Sequence, residues 1–166
     1  MIFIIMNLNE QISRIKKIIY EQNNTEFISQ NELDSVAGKR IELFTPNSDF
    51  IGNISLITFD QGKKLDSDIN RLYSNKDWCI KNCDDNFFNN DNSLFLHSLW
   101  VTDKHKRQGH AEKLMNHCGD LAKNNGYKYI TLITNKSNIP AQSLYDKLEF
   151  DKHIMDDSQI FYFKEI

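Results

Sequence analysis

The chain has 166 residues, of which 40% are hydrophobic and 26% are charged. This balance is typical of a globular protein with a substantial core, and the length predicts one domain over residues 1–166. The net charge of −3 at pH 7 argues against a nucleic-acid-binding protein, because such proteins usually carry a strongly basic face.

The N-terminal residues predict a strand followed by helices. Residues 1–6 are apolar, but they are too few to span a membrane and lack the charged start of a signal peptide, so they are read as a first strand. Isoleucines between Ile12 and Ile19 recur at helical spacing after a cap at Asn7 or Asn9. A second short helix is predicted within residues 25–38.

A hairpin and a long polar stretch come next. Residues 40–45 and 50–59 read as paired strands around a turn at residues 46–49, which contain Pro, Asn, Ser and Asp. Residues 60–93 are polar and rich in Asn and Asp, with isolated apolar residues between them. A connection of this length within one domain is often functional.

The centre of the chain combines a strand, a basic loop and a helix. Residues 94–101 form an apolar run of strand length, and Lys104, Lys106 and Arg107 precede Gly109. A helical stripe follows, made of Ala111, Leu114, Met115, Cys118, Leu121 and Ala122. Unpaired N–H groups at a helix start attract anions, so the pattern favours a phosphate site, the alternative being an ordinary connection with a solvated basic loop.

The C-terminal part predicts one more strand, a helix and a hairpin. Residues 127–134 alternate like a strand, and a helix follows with Ser137 or Asn138 as its cap and Pro140 in its first turn. Residues 150–155 and 159–163 form the terminal hairpin. Strands and helices mixed around one sheet predict an α/β or α+β layered domain.

The three cysteines, Cys79, Cys83 and Cys118, form no C-x-x-C pair. Cys118 lies on the helical stripe and is expected in the core. Cys79 and Cys83 can approach one another on a helical turn, but their spacing supplies no further metal ligands. We therefore expect no metal site and a reduced, cytoplasmic setting.

The basic loop carries a recognisable motif. Neither the P-loop nor the Rossmann glycine spacing is present. Residues 106–111 read K-R-Q-G-H-A and resemble the [RQ]-x-x-G-x-[GA] acyl-CoA-binding signature of the GNAT superfamily of N-acetyltransferases. Lys106 stands at the first motif position in place of the usual Arg or Gln. It keeps a hydrogen-bond donor and a positive charge but lacks the planar, forked donor group of arginine. The preceding Leu99-Trp100-Val101 also resembles the family's strand ending.

A second motif supports this resemblance. Residues 138–150 are similar to the family's N-x-x-A-x-x-L-Y-x-K-x-G-F pattern, and the matching positions are Asn138, Ala141, Leu144, Tyr145, Lys147 and Phe150. Glu149 replaces the usual glycine, so the turn that ends this helix would hold a non-glycine residue in a left-handed conformation. The two motifs cover about the last half of the chain.

The resemblance implies a fold, a cosubstrate and a set of site residues. It implies a GNAT-like fold with a single mixed, largely antiparallel central sheet flanked by helices, and acetyl-CoA as cosubstrate. Tyr145 would protonate the departing thiolate, unless it is simply a core residue of its helical stripe. Asn138 would contact the pantetheine arm, or only cap the helix. The expected cofactor-binding residues are Leu99, Trp100, Val101, Lys106, Arg107, Gln108, Gly109, His110, Ala111 and Asn138.

The general base and the acceptor are less defined. His97, on the central strand, is the candidate base, the alternatives being a partnered strand histidine or a chain of waters. Under the resemblance, residues 60–93 lie where an acceptor-binding loop would sit, and Asp84, Asp85 and Asp91 would favour a cationic amine. A solvated acidic loop is the alternative.

Three functions remain open from the sequence. The first is an acetyl-CoA-dependent N-acetyltransferase acting on a primary amine of a small molecule or peptide by direct attack. The second is a non-catalytic acyl-CoA-binding or regulatory module with the same fold, which the departures at Lys106 and Glu149 keep open. The third is a nucleotide-binding protein that uses the basic loop, and it is the weakest because no base- or ribose-recognition motif follows that loop in the sequence. The expected partners are acetyl-CoA and an amine, without nucleic acid or membrane, and a homodimer is left open.

Overall fold

The computed structural model describes residues 26–32, 38–58 and 92–166. Several predictions lie outside these residues: the strand at 1–6, the helix around Ile12–Ile19, and most of the polar stretch with Cys79, Cys83 and the three aspartates. The described elements are β1 (Phe27–Glu32), β2 (Gly38–Phe44), β3 (Phe50–Thr58), β4 (Ser93–Val101), a 3-10 turn (Asp103–His105), α1 (His110–Asn124), β5 (Tyr129–Asn135), α2 (Ile139–Lys147), β6 (Asp151–Ile154) and β7 (Gln159–Glu165).

The described strands form one sheet in the order β1-β2-β3-β4-β5-β7-β6. Only β4 and β5 are parallel, and the other neighbours are antiparallel. Helix α1 makes the crossover between the two parallel strands, as a parallel connection requires. The prediction of a mixed, largely antiparallel sheet with flanking helices is confirmed.

The prediction of a helix within residues 25–38 is wrong. Phe27–Glu32 is a strand that pairs antiparallel with β2, from Phe27 opposite Phe44 to Glu32 opposite Lys39. Pairing with β2 satisfies the backbone groups on one side of this segment, while Ile28 packs against the core. This tertiary pairing outweighs the weak helical spacing of the apolar residues.

The core lies between the sheet and the helices. Leu114, Met115, Cys118 and Ala122 are buried along one stripe of α1, as predicted. They pack with residues from one face of the strands, including Ile41, Ile54, Leu94, Leu96, Ile130 and Tyr162. Among residues 26–32, 38–58 and 92–166, no helix has the length and apolar character needed to cross a membrane.

The helix ends follow the predicted signals. Asn125 caps the end of α1, and Gly126 follows with a φ of 82°. Asn138 caps α2 by accepting a hydrogen bond from the N–H of Ala141 at 3.3 Å. After α2, Glu149 takes a φ of 60°, which is the left-handed conformation expected from its place in the motif.

Candidate active site

The central strand β4 contains a bulge near its C-terminal end. Asn53 of β3 pairs with Trp100 and Ser55 pairs with His97, so Ser98 and Leu99 together face the single residue Ile54. Ser98 has a φ of 59°, a left-handed conformation that is uncommon outside glycine. A bulge of this kind bends the strand and redirects its backbone groups.

Strand β4 separates from its parallel neighbour before it reaches the bulge. The two strands pair only where Ser93–Phe95 lies beside Tyr129–Thr131. Strand β5 continues to Asn135, but after Thr131 its residues pair only with β7, on the side of β5 that faces away from β4. Among the described strands, the last residues of β4 therefore have no partner on this edge, and their N–H and C=O groups are available to an extended ligand.

A cavity of about 510 Å³ opens at this separation. Leu99, Trp100 and Val101 of β4 form one wall, and Asn138, Pro140, Ala141, Leu144 and Tyr145 of α2 form the opposite wall. The loop before α1 and the first turn of that helix close the end, with His105, Lys106, Arg107 and Gly109 from the loop and His110, Ala111 and Glu112 from the helix. The cavity thus brings together both motifs found in the sequence.

Two left-handed residues shape the loop at the end of the cavity. Arg107 and Gly109 both have left-handed conformations, with φ of 62° and 85°. Gly109 is the N-cap of α1, so the first N–H groups of the helix follow directly after it. These N–H groups have no partner within the helix, and the helix dipole adds partial positive charge beside them.

Two of the predicted ligand-binding side chains are used within the loop. Gln108 donates from Nε2 to the carbonyl oxygen of Lys104 at 2.9 Å. Lys106 Nζ lies 2.6 Å from Asp103 Oδ1, and this hydrogen bond and charge lower the pKa of the Asp103 carboxyl. Arg107, in contrast, is exposed and lines the cavity.

His110 lies beneath the loop rather than on its surface. It is 7% exposed, and its Nδ1 lies 3.3 Å from Oε1 of Glu26, just before β1. The ring of His105 contacts it edge to face, with the ring centres 5.6 Å apart. His105 Nε2 is buried and has no hydrogen-bond partner in the described part of the chain.

Tyr145 closes the α2 wall of the cavity. It is 6% exposed and packs with its ring centre 6.0 Å from that of Phe150 and 5.1 Å from that of Tyr162. Burial, followed by the neighbouring Tyr162 hydroxyl, raises the pKa of Tyr145 to about 12. The hydroxyl is therefore protonated at neutral pH, as a general acid must be before it acts.

His97 stands apart from the other predicted site residues. It lies on β4 one residue before the bulge, and its Nδ1 is 2.6 Å from the Ser98 hydroxyl oxygen. It is half-buried, and it does not belong to the described residues that line the cavity.

Sequence reasoning missed three residues that shape this site. Glu26 reaches His110 and Lys113 from a distant part of the chain, and no local pattern marks it. Ser98 lies in the bulge with a left-handed conformation, and no glycine marks this position in the sequence. At Gly52, a Cβ would lie 2.4 Å from the Trp100 carbonyl oxygen. A glycine inside a predicted strand often marks the close approach of another backbone, and this signal could have been used.

The geometry defines a class of protein: a layered α/β domain whose split central sheet faces a glycine-capped helix start. Residues 78–150 match the model of the acetyltransferase (GNAT) family. The described structure is similar to a GNAT family acetyltransferase from Elizabethkingia anophelis with acetyl-CoA bound, at a TM-score of 0.60 and 14% identity over 86% of this chain and 99% of that one. The resemblance to the GNAT superfamily is confirmed.

Two further structures extend the comparison. An IAA acetyltransferase from Bacillus cereus has a TM-score of 0.58 and 12% identity over 86% of this chain and 100% of that one. A spermidine/spermine N-acetyltransferase from Vibrio cholerae, in mutant forms, has a TM-score of 0.52 and 14% identity over 80% of this chain and 69% of that one. No curated protein matches the chain at a significant level.

Proposed function

We propose that the protein is an N-acetyltransferase that moves an acetyl group from acetyl-CoA to a primary amine of a small molecule or peptide. One observation carries the proposal: a single cavity joins the edge of β4 that β5 leaves unpaired, the glycine-capped start of α1 and Tyr145 in the wall formed by α2. These three parts match the three needs of the reaction, which are a thioester held in place, an anchored phosphate group and a proton donor.

The cofactor would be bound mainly by backbone groups. The diphosphate of acetyl-CoA would accept hydrogen bonds from N–H groups of residues 107–111, with Arg107 adding a full charge. The pantetheine arm would pair with the edge of β4 at Leu99, Trp100 and Val101, as an added strand does. Asn138 borders the same path, and its side-chain oxygen already accepts from Ala141 N–H, which holds its amide in place.

The chemistry would proceed by direct attack. A neutral amine nitrogen bonds to the thioester carbon while the carbonyl oxygen, which gains negative charge, is stabilised by N–H groups of the bulged end of β4. The carbon–sulfur bond then breaks, and Tyr145 donates its proton to the leaving thiolate. The amine loses one proton to water, or through water to His97, and Tyr145 recovers a proton from solvent, which balances the step.

The acceptor assignment rests on the family and on the comparisons. The Vibrio cholerae protein is named as a spermidine/spermine N-acetyltransferase, and the Bacillus cereus protein is named as an IAA acetyltransferase. We favour a primary amine for this chain because the family resemblance is to N-acetyltransferases. His97 does not line the cavity, so we propose it as a base that acts through water, from its place beside the bulge and with the Ser98 contact holding its ring.

The experiment compares two tyrosine variants. Tyr145→Phe should lower turnover by about 10²–10³-fold, as expected for loss of a general acid, while acetyl-CoA still binds. Tyr162→Phe is the matched control, because Tyr162 packs beside Tyr145 but its hydroxyl contacts Asp146 at 3.4 Å outside the cavity. CoA release is measured with a thiol reagent over a panel of amines. Equal turnover in the two variants would remove Tyr145 as the acid.

A non-catalytic acyl-CoA-binding module is the second candidate. The observation that favours it is the pairing of Lys106 with Asp103, which engages the side chain that stands at the family's Arg or Gln position. Binding of acetyl-CoA with no CoA release for any amine, in the wild-type protein, would support this candidate over the enzyme.

We further propose that residues 1–166 form a single domain and that the protein works in the cytoplasm. The second point is supported by Cys118, a free thiol buried in the core. Burial raises the pKa of this thiol to about 12, so it is unreactive at neutral pH.

A further inference from the structure

Three aromatic rings meet at the end of the sheet where β4 contains its bulge. Phe44 ends β2 and Phe50 begins β3, and their ring centres lie 5.7 Å apart in an edge-to-face contact. Phe50 in turn stacks on Trp100 of β4, with ring centres 5.9 Å apart and an angle of 22° between the planes. We call these three residues the aromatic cluster. The chemistry described above uses none of the three rings.

The aromatic cluster lies on the face of the sheet opposite α1. The residues next to its members along the strands, Leu43, Ile51 and Val101, are buried in the core that packs against α1. Because neighbouring side chains of a strand point to opposite faces, the three rings point away from α1. Trp100 also lines the cavity, which opens where β4 and β5 separate. The aromatic cluster therefore joins the cavity to the opposite face of the sheet.

Trp100 keeps much of its apolar surface exposed. The residue is 51% exposed, although its ring is held in place by stacking on Phe50. Phe50 can cover only one face of the indole, so a second flat group can stack on the other face. Large, ordered aromatic side chains of this kind are suited to binding, because they contribute contact area at a small cost in conformational entropy.

The position of the aromatic cluster matches the path that an acceptor would take. Under the proposed function, acetyl-CoA fills the cavity between β4 and α2, and its thioester lies at the bulged end of β4. The amine has to reach the thioester carbon from a side that the cosubstrate leaves open, and the sheet face opposite α1 is such a side. Trp100 directly follows the bulge at Ser98 and Leu99, so its ring would stand beside the incoming amine.

The charges around the cavity favour an uncharged group next to Trp100 over a second cation. The exposed Arg107 places a positive charge at the end of the cavity. Glu112 is the only carboxylate among the described residues that line the cavity, and it pairs with Lys147 at 2.5 Å. A polyamine would bring its further charges towards a cation, whereas an aromatic ring would add apolar contact without that repulsion.

We propose that Trp100, held by Phe50, is a specificity-determining residue for the acceptor, and that the acceptor is a primary amine that carries an aromatic ring. The inference rests on the proposed function, since it concerns the second substrate of that reaction. The acceptor ring stacks on the indole while the amine points towards the bulged end of β4. The ring can belong to a small arylalkylamine or to the first residue of a peptide, and the experiment separates these two sources.

The experiment measures kcat/KM from CoA release at saturating acetyl-CoA for a matched pair of amines. Phenethylamine carries an aromatic ring, and cyclohexylethylamine has nearly the same size and the same charge without the aromatic character. Spermidine represents the polyamines, and short peptides that begin with phenylalanine or alanine represent the peptide acceptors. The variants are Trp100→Leu, which removes the ring but keeps the backbone groups of β4, and Trp100→Tyr, which keeps a ring.

Phe163→Leu on β7 is the matched control. Phe163 stacks on Phe161 with ring centres 6.0 Å apart and 23° between the planes, so this variant also removes one ring from a stacked pair. Phe163 is not among the described residues that line the cavity. Calorimetric titration measures the affinity of each variant for acetyl-CoA, which separates an effect on the acceptor from an effect on the cosubstrate.

The wild-type protein should favour phenethylamine over cyclohexylethylamine by about threefold to tenfold in kcat/KM, the range expected for one aromatic pair. Trp100→Leu should abolish this preference, mainly by raising KM for phenethylamine. Its affinity for acetyl-CoA should change by less than about twofold, because the backbone groups of β4 remain. Trp100→Tyr should keep most of the preference, and Phe163→Leu should keep all of it. Faster use of the phenylalanine peptide than of phenethylamine would assign the ring to a peptide, and slower use to a small amine.

The contrary results separate this inference from the proposed function. Equal use of phenethylamine and cyclohexylethylamine by the wild-type protein, or a better use of spermidine, would overturn the role of Trp100 and leave the acetylation of amines standing. An unchanged preference in Trp100→Leu would do the same, and the wild-type preference keeps the test valid if that variant fails to fold. Wild-type protein that releases no CoA with any amine would overturn the proposed function itself.

Discussion

Gly52 of β3 determines how closely β3 and β4 approach at the cavity wall. A Cβ at this position would lie 2.4 Å from the Trp100 carbonyl oxygen, 3.0 Å from Val101 Cα and 3.2 Å from Val101 Cγ2. Ordinary contacts are about 3.4 Å or longer, so Gly52→Ala must move the two backbones apart by about 1 Å. Overpacking of this kind costs about 1–3 kcal/mol, and backbone atoms cannot rotate away, so we expect the upper part of that range.

Gly119→Ala is the matched control for this prediction. Its Cβ would meet only Ile130 Cδ1 at 3.9 Å, an ordinary contact, and alanine in a helix interior should stabilise the fold by about 0.5–1 kcal/mol. Urea unfolding followed by circular dichroism measures both free energies. Gly52→Ala should also weaken acetyl-CoA binding several-fold, because Val101 opposite Gly52 lines the cavity. Equal stability of the two variants would refute the close approach of β3 to β4.

Three further predictions concern the loop, a turn and the alkaline limit of stability. Arg107→Asn removes a charge at the cavity, and asparagine tolerates the φ of 62° at this position. The affinity for acetyl-CoA should therefore fall about tenfold, while the free energy of unfolding stays almost unchanged. Calorimetry and urea unfolding measure the two quantities, and an undiminished affinity would contradict the prediction. Glu149→Gly should raise the unfolding free energy by about 1 kcal/mol, because glycine takes the φ of 60° without strain, and a loss of stability would show that the Glu149 side chain matters more than its backbone. Burial raises the pKa of both Tyr145 and Cys118 to about 12, so the folded state holds these protons to higher pH than the unfolded state does. Stability should therefore be complete below about pH 9 and be lost as the pH rises towards 12, by about 3 kcal/mol for the tyrosine alone, and a flat urea midpoint between pH 9 and 11.5 would contradict this.

The elements with strong local signals were predicted well. The stripe of α1, the Asn138 cap and the left-handed turn at Glu149 each depend on residues within a few positions of one another. Periodicity and capping report local physics, so a single sequence suffices for them. The terminal hairpin of β6 and β7 was predicted for the same reason.

The features that were predicted wrongly or missed depend on residues that are distant in the sequence. Residues 27–32 form a strand because β2 pairs with them, which no local spacing reveals. The Glu26 contact with Lys113 joins positions 87 residues apart in the chain. The bulge at Ser98 arises where β4 must pair with β3 and also part from β5, so its cause lies in two other strands.

The site residues divide in the same way. Both motifs predicted their part of the cavity, since Tyr145, Asn138, Gly109 and the end of β4 all line it. The separation of β4 from β5, which creates the space between those motifs, could not be predicted because it is a property of strand register. The motif also gave no indication that Gln108 would be used to shape the loop.

Titration of the purified protein with acetyl-CoA, with ATP as the comparison ligand, tests the central claim most directly. The cavity predicts binding of one acetyl-CoA per chain, with ATP at least tenfold weaker because it lacks the pantetheine arm that would pair with β4. Absence of binding at millimolar acetyl-CoA, or equal affinity for ATP, would contradict the assignment of this cavity to an acyl-CoA.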